Sequence, residues 1–502
     1  MDRIRKVFQS LSKTELRYLK SYLAAFHNKG KNKALEMIEV LENQPDISQQ
    51  EMATRLYDNA QSKAFIMLKG RLLEKMLETL SLSINFQNNP AFLEDSPAFE
   101  AIELQKDLMY ATLLRRRGIE DLAREILLKC VKKAEDLNLP ESKLQALVHL
   151  RNFSVSQEDV SSNYKHEIGE ALAQYENDIL AAGIFDEYRV KTRHAFNTQE
   201  KIDFLRESTR ELEAQLDQCY SVRAHYYSLM LRVYLHELEN DYALGKASLK
   251  KLIDLVNTHD GLKSKNRLGS PYIQLAGVEM IGHNFEAARE ASDRALAMFH
   301  PQKHNFLSAA LYKLFSSIYT GQLLEAETLL GQISWFRTQE RMRFAVGITE
   351  YLHSCMAYMQ GAYKIAYQRL GEVSELFADK EGWNTGLRIY EIMLLLDMDM
   401  PDLAGSKIET LRKHVAKYEV RKRTEIIFRF LYSLEKQSFD FHTLSPDMEE
   451  LLDRLTHSEP WLAVDPEVVR FDTWVRAKQA KKEFYPLFLR ELQGLTKSES
   501  RA

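Results

Sequence analysis

Apolar residues recur three and four positions apart along nearly the whole chain. In QSKAFIMLKGRLLEKMLETL, Phe65, Leu68, Leu72, Met76 and Leu80 fall on one stripe, the pattern of a helix with one buried face. No run of strictly alternating apolar and polar positions predicts a sheet. Helix starts are marked by residue type. Ser12 with Glu15, and Ser48 with Glu51, have the spacing at which a hydroxyl and a carboxylate satisfy each other's free backbone N–H groups. Ser445-Pro446 and Asp465-Pro466 set a capping side chain before a proline suited to the first helical turn. Breaks are few: a linker over 88–97, a polar gap over 156–163 and a long loop over 257–271. The pattern predicts an all-α protein. We divide it into an N-terminal helical module over 1–86, a repeat array over 98–436 and a C-terminal helical cap over 437–502.

The array rests on a recurring element. GHNFEAAREASDRALAMFHP, residues 282–301, has a glycine, an aromatic, alanines at helical spacing and a closing proline. Taking Ala288 as anchor, GQLLEA brings Ala326 after 38 residues and GAYKIA brings Ala366 after a further 40. Another step of 40 lands on Ser406, in DLAGSKIETL. Upstream, Gly245 and Ala123 fit the same role. A small residue early in the second helix of a pair lets it pack closely on the first. A glycine lets the connecting turn become left-handed. Larger apolar residues four and seven positions later, Leu330 and Ile333 or Leu370 and Val373, would fill the contact with the next pair. A single pair cannot bury its apolar face alone, so such units come in series.

These residues resemble the tetratricopeptide repeat family. The resemblance is carried by Tyr272, Leu275, Ala276, Ala288, Ala295 and Pro301, and by the two G-x-x-x-x-A elements that follow. It is clearest over 270–410. The spacing of 38–40 exceeds the family's unit of about 34 residues, which implies lengthened helices; helical repeats of the HEAT kind are the alternative. The resemblance implies a right-handed α-solenoid of stacked antiparallel helix pairs, with the first helix of each pair lining a concave groove. Counting back from the anchors puts Tyr227, Tyr234, Phe315, Tyr319, Tyr351 and Tyr358 at or near groove positions. They are partner-binding candidates, with packing between repeats as the competing reading.

Charge adds two candidates. LRKHVAKYEVRKR carries Arg412, Lys413, Lys417, Arg421, Lys422 and Arg423; with 413, 417 and 421 four apart, one helix face would be positive. Residues 1–86 hold fourteen Lys or Arg against ten Asp or Glu, while the whole chain is −4. Within them, DISQQEMATRLYDNAQSKAFIMLKGRLLEKM resembles a helix-turn-helix, with helices near 13–26, 33–43, 49–57 and 61–84. That resemblance implies Gln61, Ser62 and Lys63 as DNA-contacting residues; a plain helical cap is the competing reading.

Reaction chemistry is not legible. The fourteen histidines are scattered; His300 and His304 are four apart, but Pro301 interrupts them. There is no G-x-S-x-G and no dinucleotide loop, so no catalytic, cofactor-binding or metal residue is assigned. Gly261, Lys263 and Ser264 lack the leading glycine, Gly-Lys pair and preceding strand of a phosphate loop. Three dispersed cysteines and no long apolar run predict a cytoplasmic protein, with no membrane span and no disulfide framework. The expectation is a non-enzymatic scaffold or adaptor that binds a protein or peptide partner. A transcription regulator with a ligand-sensing array is the alternative.

Overall fold

A computed structural model describes the backbone of residues 2–25, 32–82, 96–153, 158–191, 198–301, 304–333, 343–373, 382–418, 420–464 and 466–499. All regular structure among them is helical. The chain divides into two compact units, Met1–Ile102 and Glu103–Ala502.

The first unit is built from α1 (Asp2–Ser10), α2 (Lys13–Ala25), α3 (Lys33–Asn43), α4 (Gln49–Tyr57) and α5 (Lys63–Leu82). Both expected capping boxes form. Ser12 Oγ accepts from the Glu15 N–H at 3.2 Å while Glu15 Oε2 accepts from the Ser12 N–H at 2.6 Å, and Ser48 and Glu51 do the same. Phe65, Leu72 and Met76 pack on Leu19, Met37, Ile38, Met52 and Leu56 in one core. The Leu80 side chain lies outside the described residues. The 88–97 linker also falls mostly outside them, and α6 (Ser96–Arg116) runs across the division between units.

In the second unit, first helices start at Val222, Lys265, His304, Arg343, Trp383 and Lys422, so the spacing is 43 residues once and 39 or 40 thereafter. Second helices at Tyr242, Phe285, Leu323, Tyr363 and Pro401 keep step. We label the first helices α11 (Val222–Leu238), α13 (Lys265–Ile281), α15 (His304–Tyr319), α17 (Arg343–Met359), α19 (Trp383–Asp397) and α21 (Lys422–Lys436). α7 (Glu120–Asp136), α8 (Pro140–Arg151), α9 (Glu158–Lys191) and α10 (Thr198–Gln218) precede them. Helix stacking of this kind is tetratricopeptide-like.

One turn recurs. Two residues before each second helix a residue is left-handed: Asn240, His283, Gly321, Gly361 and Asp399, with φ between 52° and 85°. The next N–H reaches back five residues in a 2.8–3.0 Å bond, as from Gln322 to the Ser317 carbonyl and from Ala362 to the Ala357 carbonyl. This closes the preceding helix. In the opening element the left-handed residue is His283, at φ 52°, whereas Gly282 sits at φ −78°. The imidazole thus takes the slot that glycine fills in the next two repeats. Ala288, Ala326 and Ala366 are fully buried. In the following repeat the buried small residue is Ala404 and not the exposed Ser406, because that repeat is two residues shorter than a step of 40.

Three sequence expectations need correction. The gap over 156–163 is helical from Glu158. The loop over 257–271 shrinks to a short 3-10 turn at Asp260–Leu262, with Pro271 inside α13. Its glycine is structural, since a Cβ on Gly261 would come within 1.7 Å of the Leu137 carbonyl oxygen. Lys263 pairs with Asp260 and Ser264 caps α13. No helix starts at Pro466. Asp465 lies outside the described residues, the backbone from Pro466 to Arg470 is irregular, and the helix begins at Phe471.

Candidate functional site

The aromatic residues expected along the groove lie in two settings. Phe315, Tyr319, Tyr351 and Tyr358, from α15 and α17, are each at most 7% exposed. The three tyrosines meet the chain's own C-terminal region: an irregular stretch over 459–470, α23 (Phe471–Ala480) and α24 (Phe484–Glu499). The phenol of Tyr319 donates to the Ala463 carbonyl at 3.2 Å and that of Tyr351 to the Pro466 carbonyl at 2.6 Å. In return, Tyr485 donates to the Ile318 carbonyl at 2.7 Å. Trp461 stacks on His283 with ring centroids 6.1 Å apart and meets Tyr319 edge-on at 5.3 Å. Tyr358 and Trp474 both donate to Asp397 Oδ2, at 2.6 and 3.0 Å. Gly386 makes room: a Cβ there would lie 2.7 Å from the Pro466 Cβ. Tyr319 and Tyr351 are therefore committed to an internal segment, which they hold through its main-chain carbonyls, while Tyr358 packs on Phe484 and Phe315 is buried against Tyr319.

The same segment takes Arg423 out of the expected basic face. Arg423 is 6% exposed and pairs with both Glu467 oxygens, at 2.7 and 2.8 Å. It also donates to Asp472 and to the carbonyls of Leu455 and Glu459. Asp472 is fully buried beneath Arg423, Arg470 and Arg476. Burial alone would raise its carboxyl, but the three guanidinium groups outweigh that and hold it well below the usual range. The remaining basic residues do not share one helix. Arg412, Lys413 and Lys417 end the helix Pro401–Lys417, while Arg421 caps the next and Lys422 begins it. Arg412 pairs with Glu409 at 2.7 Å, and Lys417 lies over the Tyr418 ring.

Upstream, Tyr227 and Tyr234 on α11 are half-buried. Phe185 lies 5.2 Å from Tyr227 and 6.3 Å from Tyr234; Tyr188 stacks on Tyr234 at 5.3 Å. Three successive first helices meet here. α11 brings Tyr234 and Glu237, α13 brings Gln274, which hydrogen-bonds Tyr234, and α15 brings Tyr312. Tyr312 reaches across Gly277, where a Cβ would lie 3.0 Å from its hydroxyl. Glu237 is exposed at this surface, yet surrounding atoms displace enough water to raise its carboxyl above the usual range. Sequence reading missed Glu237. In YLHELEN it looks like one solubilising acid among several, and its surroundings come from residues tens of positions away.

A second upstream carboxylate is buried. Asp178 on α9 accepts from Ser221 Oγ, but its Oδ2 has no partner among the described residues, and burial pushes the group up to about 6. The cysteines offer no nucleophile: burial raises Cys130 to about 11 and Cys355 higher still. Among the described residues no three His, Cys, Asp or Glu side chains are grouped to hold a metal ion, and no helix is long and apolar enough to cross a membrane.

In the first unit, Asp58 is left-handed at φ 55° and ends α4, and Ser62 Oγ accepts from the Phe65 N–H. Gln61 and Lys63 are exposed and Ser62 half-buried. Ile66 and Met67, each 59% exposed, continue the outer surface of α5.

No family model and no curated protein matches the chain. Among solved structures it is similar to the apo form of the quorum sensor NprR from B. thuringiensis, with 16% identity and a TM-score of 0.46 over 72% of this chain and 99% of that one. It is also similar to a Rap protein complexed with competence and sporulation factor, with 14% identity and a TM-score of 0.47 over 80% of this chain and 99% of that one.

Proposed function

We propose that the protein is a non-enzymatic peptide-binding repeat scaffold, and that its partner occupies the surface formed by α9, α11, α13 and α15. The observation that carries this reading is the internal one. Tyr319 and Tyr351 hold an irregular chain segment by donating to its carbonyls at 3.2 and 2.6 Å. Carbonyl recognition of this kind does not depend on the side chains of the segment held. Tyr227 and Tyr234, on a first helix two pairs before Tyr319 and three before Tyr351, offer a comparable aromatic wall, with no segment of the described chain against it comparable to 459–470. Three free cysteines accord with a cytoplasmic setting.

Replacing Tyr351 or Tyr358 would disrupt packing and would not report on a partner, so the test belongs upstream. The full chain is exposed to a pool of short random-sequence peptides and the retained fraction is sequenced. Tyr227→Ala combined with Tyr234→Ala should weaken retention more than about tenfold with helical content unchanged. Equal retention by the double variant would sink the assignment of this surface.

A second reading, DNA recognition by the first unit, is favoured by the left-handed turn between α4 and α5 and by the exposure of Gln61 and Lys63. Such binding would weaken steeply with added salt. Against it, Ile66 and Met67 put apolar groups where a reading helix would face the groove.

A further inference from the structure

The last helix pair departs from the repeat, and the departure makes a cavity. At the end of α21 the recurring turn forms as elsewhere: Ser438 is left-handed at φ 54°, and the Phe439 N–H reaches back to the Leu434 carbonyl at 2.9 Å. In earlier pairs the second helix starts two residues after the left-handed one. Here Phe439 is left-handed as well, at φ 60°, and the next helix starts only at Pro446. Two adjoining left-handed residues occur nowhere else among the described residues. That conformation is unfavourable for a bulky side chain, and such residues concentrate where a fold shapes a binding site.

The loop so formed brings Phe439, Asp440, Phe441 and His442 to a cavity of about 400 Å³, a volume typical of small-molecule sites. Its other walls come from α17, from Tyr363 and Asp397, and from α23 and the start of α24. These walls hold one another in place. Asp397 accepts from Tyr358 and Trp474 and pairs with Lys478 at 2.8 Å. Trp474 meets Phe441 edge-on at 5.1 Å, and Tyr358 lies 5.2 Å from Tyr363 and 5.5 Å from Phe484. Phe439 and Tyr363 line the cavity but are only half-buried, which leaves part of each ring open to an occupant.

Charge decides what kind of occupant. Lys478 neutralises Asp397. The ammonium groups of Lys481 and Lys482, exposed on the rim, have no partner among the described residues. They stand against the single carboxylate of Asp440, which is tethered in its loop by accepting from the His442 N–H at 2.8 Å. An ammonium is a compact charge with three donors, suited to phosphate oxygens. Open ring faces suit a planar base, and a rim carboxylate accepts from sugar hydroxyls.

We propose that this cavity binds a mononucleotide, with the base against Phe439 and Tyr363, the phosphate on Lys481 and Lys482, and the ribose beside Asp440. The site is built from different residues than the upstream surface, and it stands whether or not a peptide binds there.

Calorimetric titration of the full chain with AMP, GMP, CMP and UMP tests this. At least one should bind, and the matching nucleoside and ribose 5-phosphate should each bind about tenfold more weakly. Lys481→Gly combined with Lys482→Gln should weaken the nucleotide about tenfold. The double variant should keep its unfolding midpoint, because both side chains are exposed and glycine suits the left-handed backbone of Lys481, at φ 50°. Phe439→Gly likewise keeps a left-handed backbone and should reduce the preference for nucleotide over ribose 5-phosphate. Absence of binding by all four nucleotides at millimolar concentration would overturn the proposal. Unchanged affinity in the lysine double variant, or ribose 5-phosphate binding as tightly as the nucleotide, would overturn it as well.

Discussion

The two halves of the repeat array handle buried and crowded charge in opposite ways. Downstream, Asp472 is fully buried yet ringed by three guanidinium groups, and the surface above α15 and α17 is closed by the chain itself. Among the described residues upstream, Asp178 keeps one oxygen without a partner, Glu237 has no cation, and Gln274 has an unmet acceptor. The downstream half resembles the interior of a finished domain. The upstream half carries two carboxyl groups raised by burial, Asp178 and Glu237, and for Asp178 the Ser221 hydrogen bond and the Arg223 charge only partly offset it. On the peptide-binding reading, the array is part structure and part peptide receptor, with the boundary drawn by its own C-terminal segment.

The strongest way to break this contrast is to unbalance the downstream side. Asp472→Ala leaves Arg470 without its bidentate partner in a buried site and should cost about 3–5 kcal/mol, read as a shift in the denaturant midpoint. A smaller effect separates the halves by pH. Because the folded-state carboxyl of Asp178 is raised to about 6, the folded chain holds a proton there that the unfolded chain has released above about 4. Stability from this group should thus fall as pH rises from about 4 to 6, by about 2–3 kcal/mol, and the slope should vanish in Asp178→Asn. Asp472 has the opposite sign: its contribution is present above about pH 4 and is lost as pH falls below that. The smallest effect sharpens the comparison. Tyr351→Phe removes one donor to the Pro466 carbonyl and should cost about 1 kcal/mol, seen as faster limited proteolysis within 459–470.

Sequence legibility followed the range of the interactions. The helix pairs were readable because their signals are local: capping residues three apart, and Ala288, Ala326 and Ala366 in step. The errors were local rules overruled from a distance. Ser406 was chosen by extending a spacing of 40, where packing uses Ala404. Pro466 looked like a helix start, but its carbonyl is taken by Tyr351, 115 positions away. The aromatic residues were correctly placed on first helices, yet no periodicity tells whether such a residue meets a partner or the chain's own end. Glu237 gave no signal at all, since what distinguishes it is the absence of a cation in three dimensions.

The closure of the downstream half also fixes how this array can change over time. Repeat proteins gain and lose length by duplicating or deleting whole helix pairs, since each unit contacts only its neighbours. Between His283 and Arg423 that freedom is gone. Trp461, Ala463, Pro466 and Glu467 are matched in order to His283, Tyr319, Tyr351 and Arg423. An extra pair inserted there would put these partners out of register at once. The C-terminal segment acts as a tally of the pairs it crosses, and only the stretch upstream of it is left free to grow.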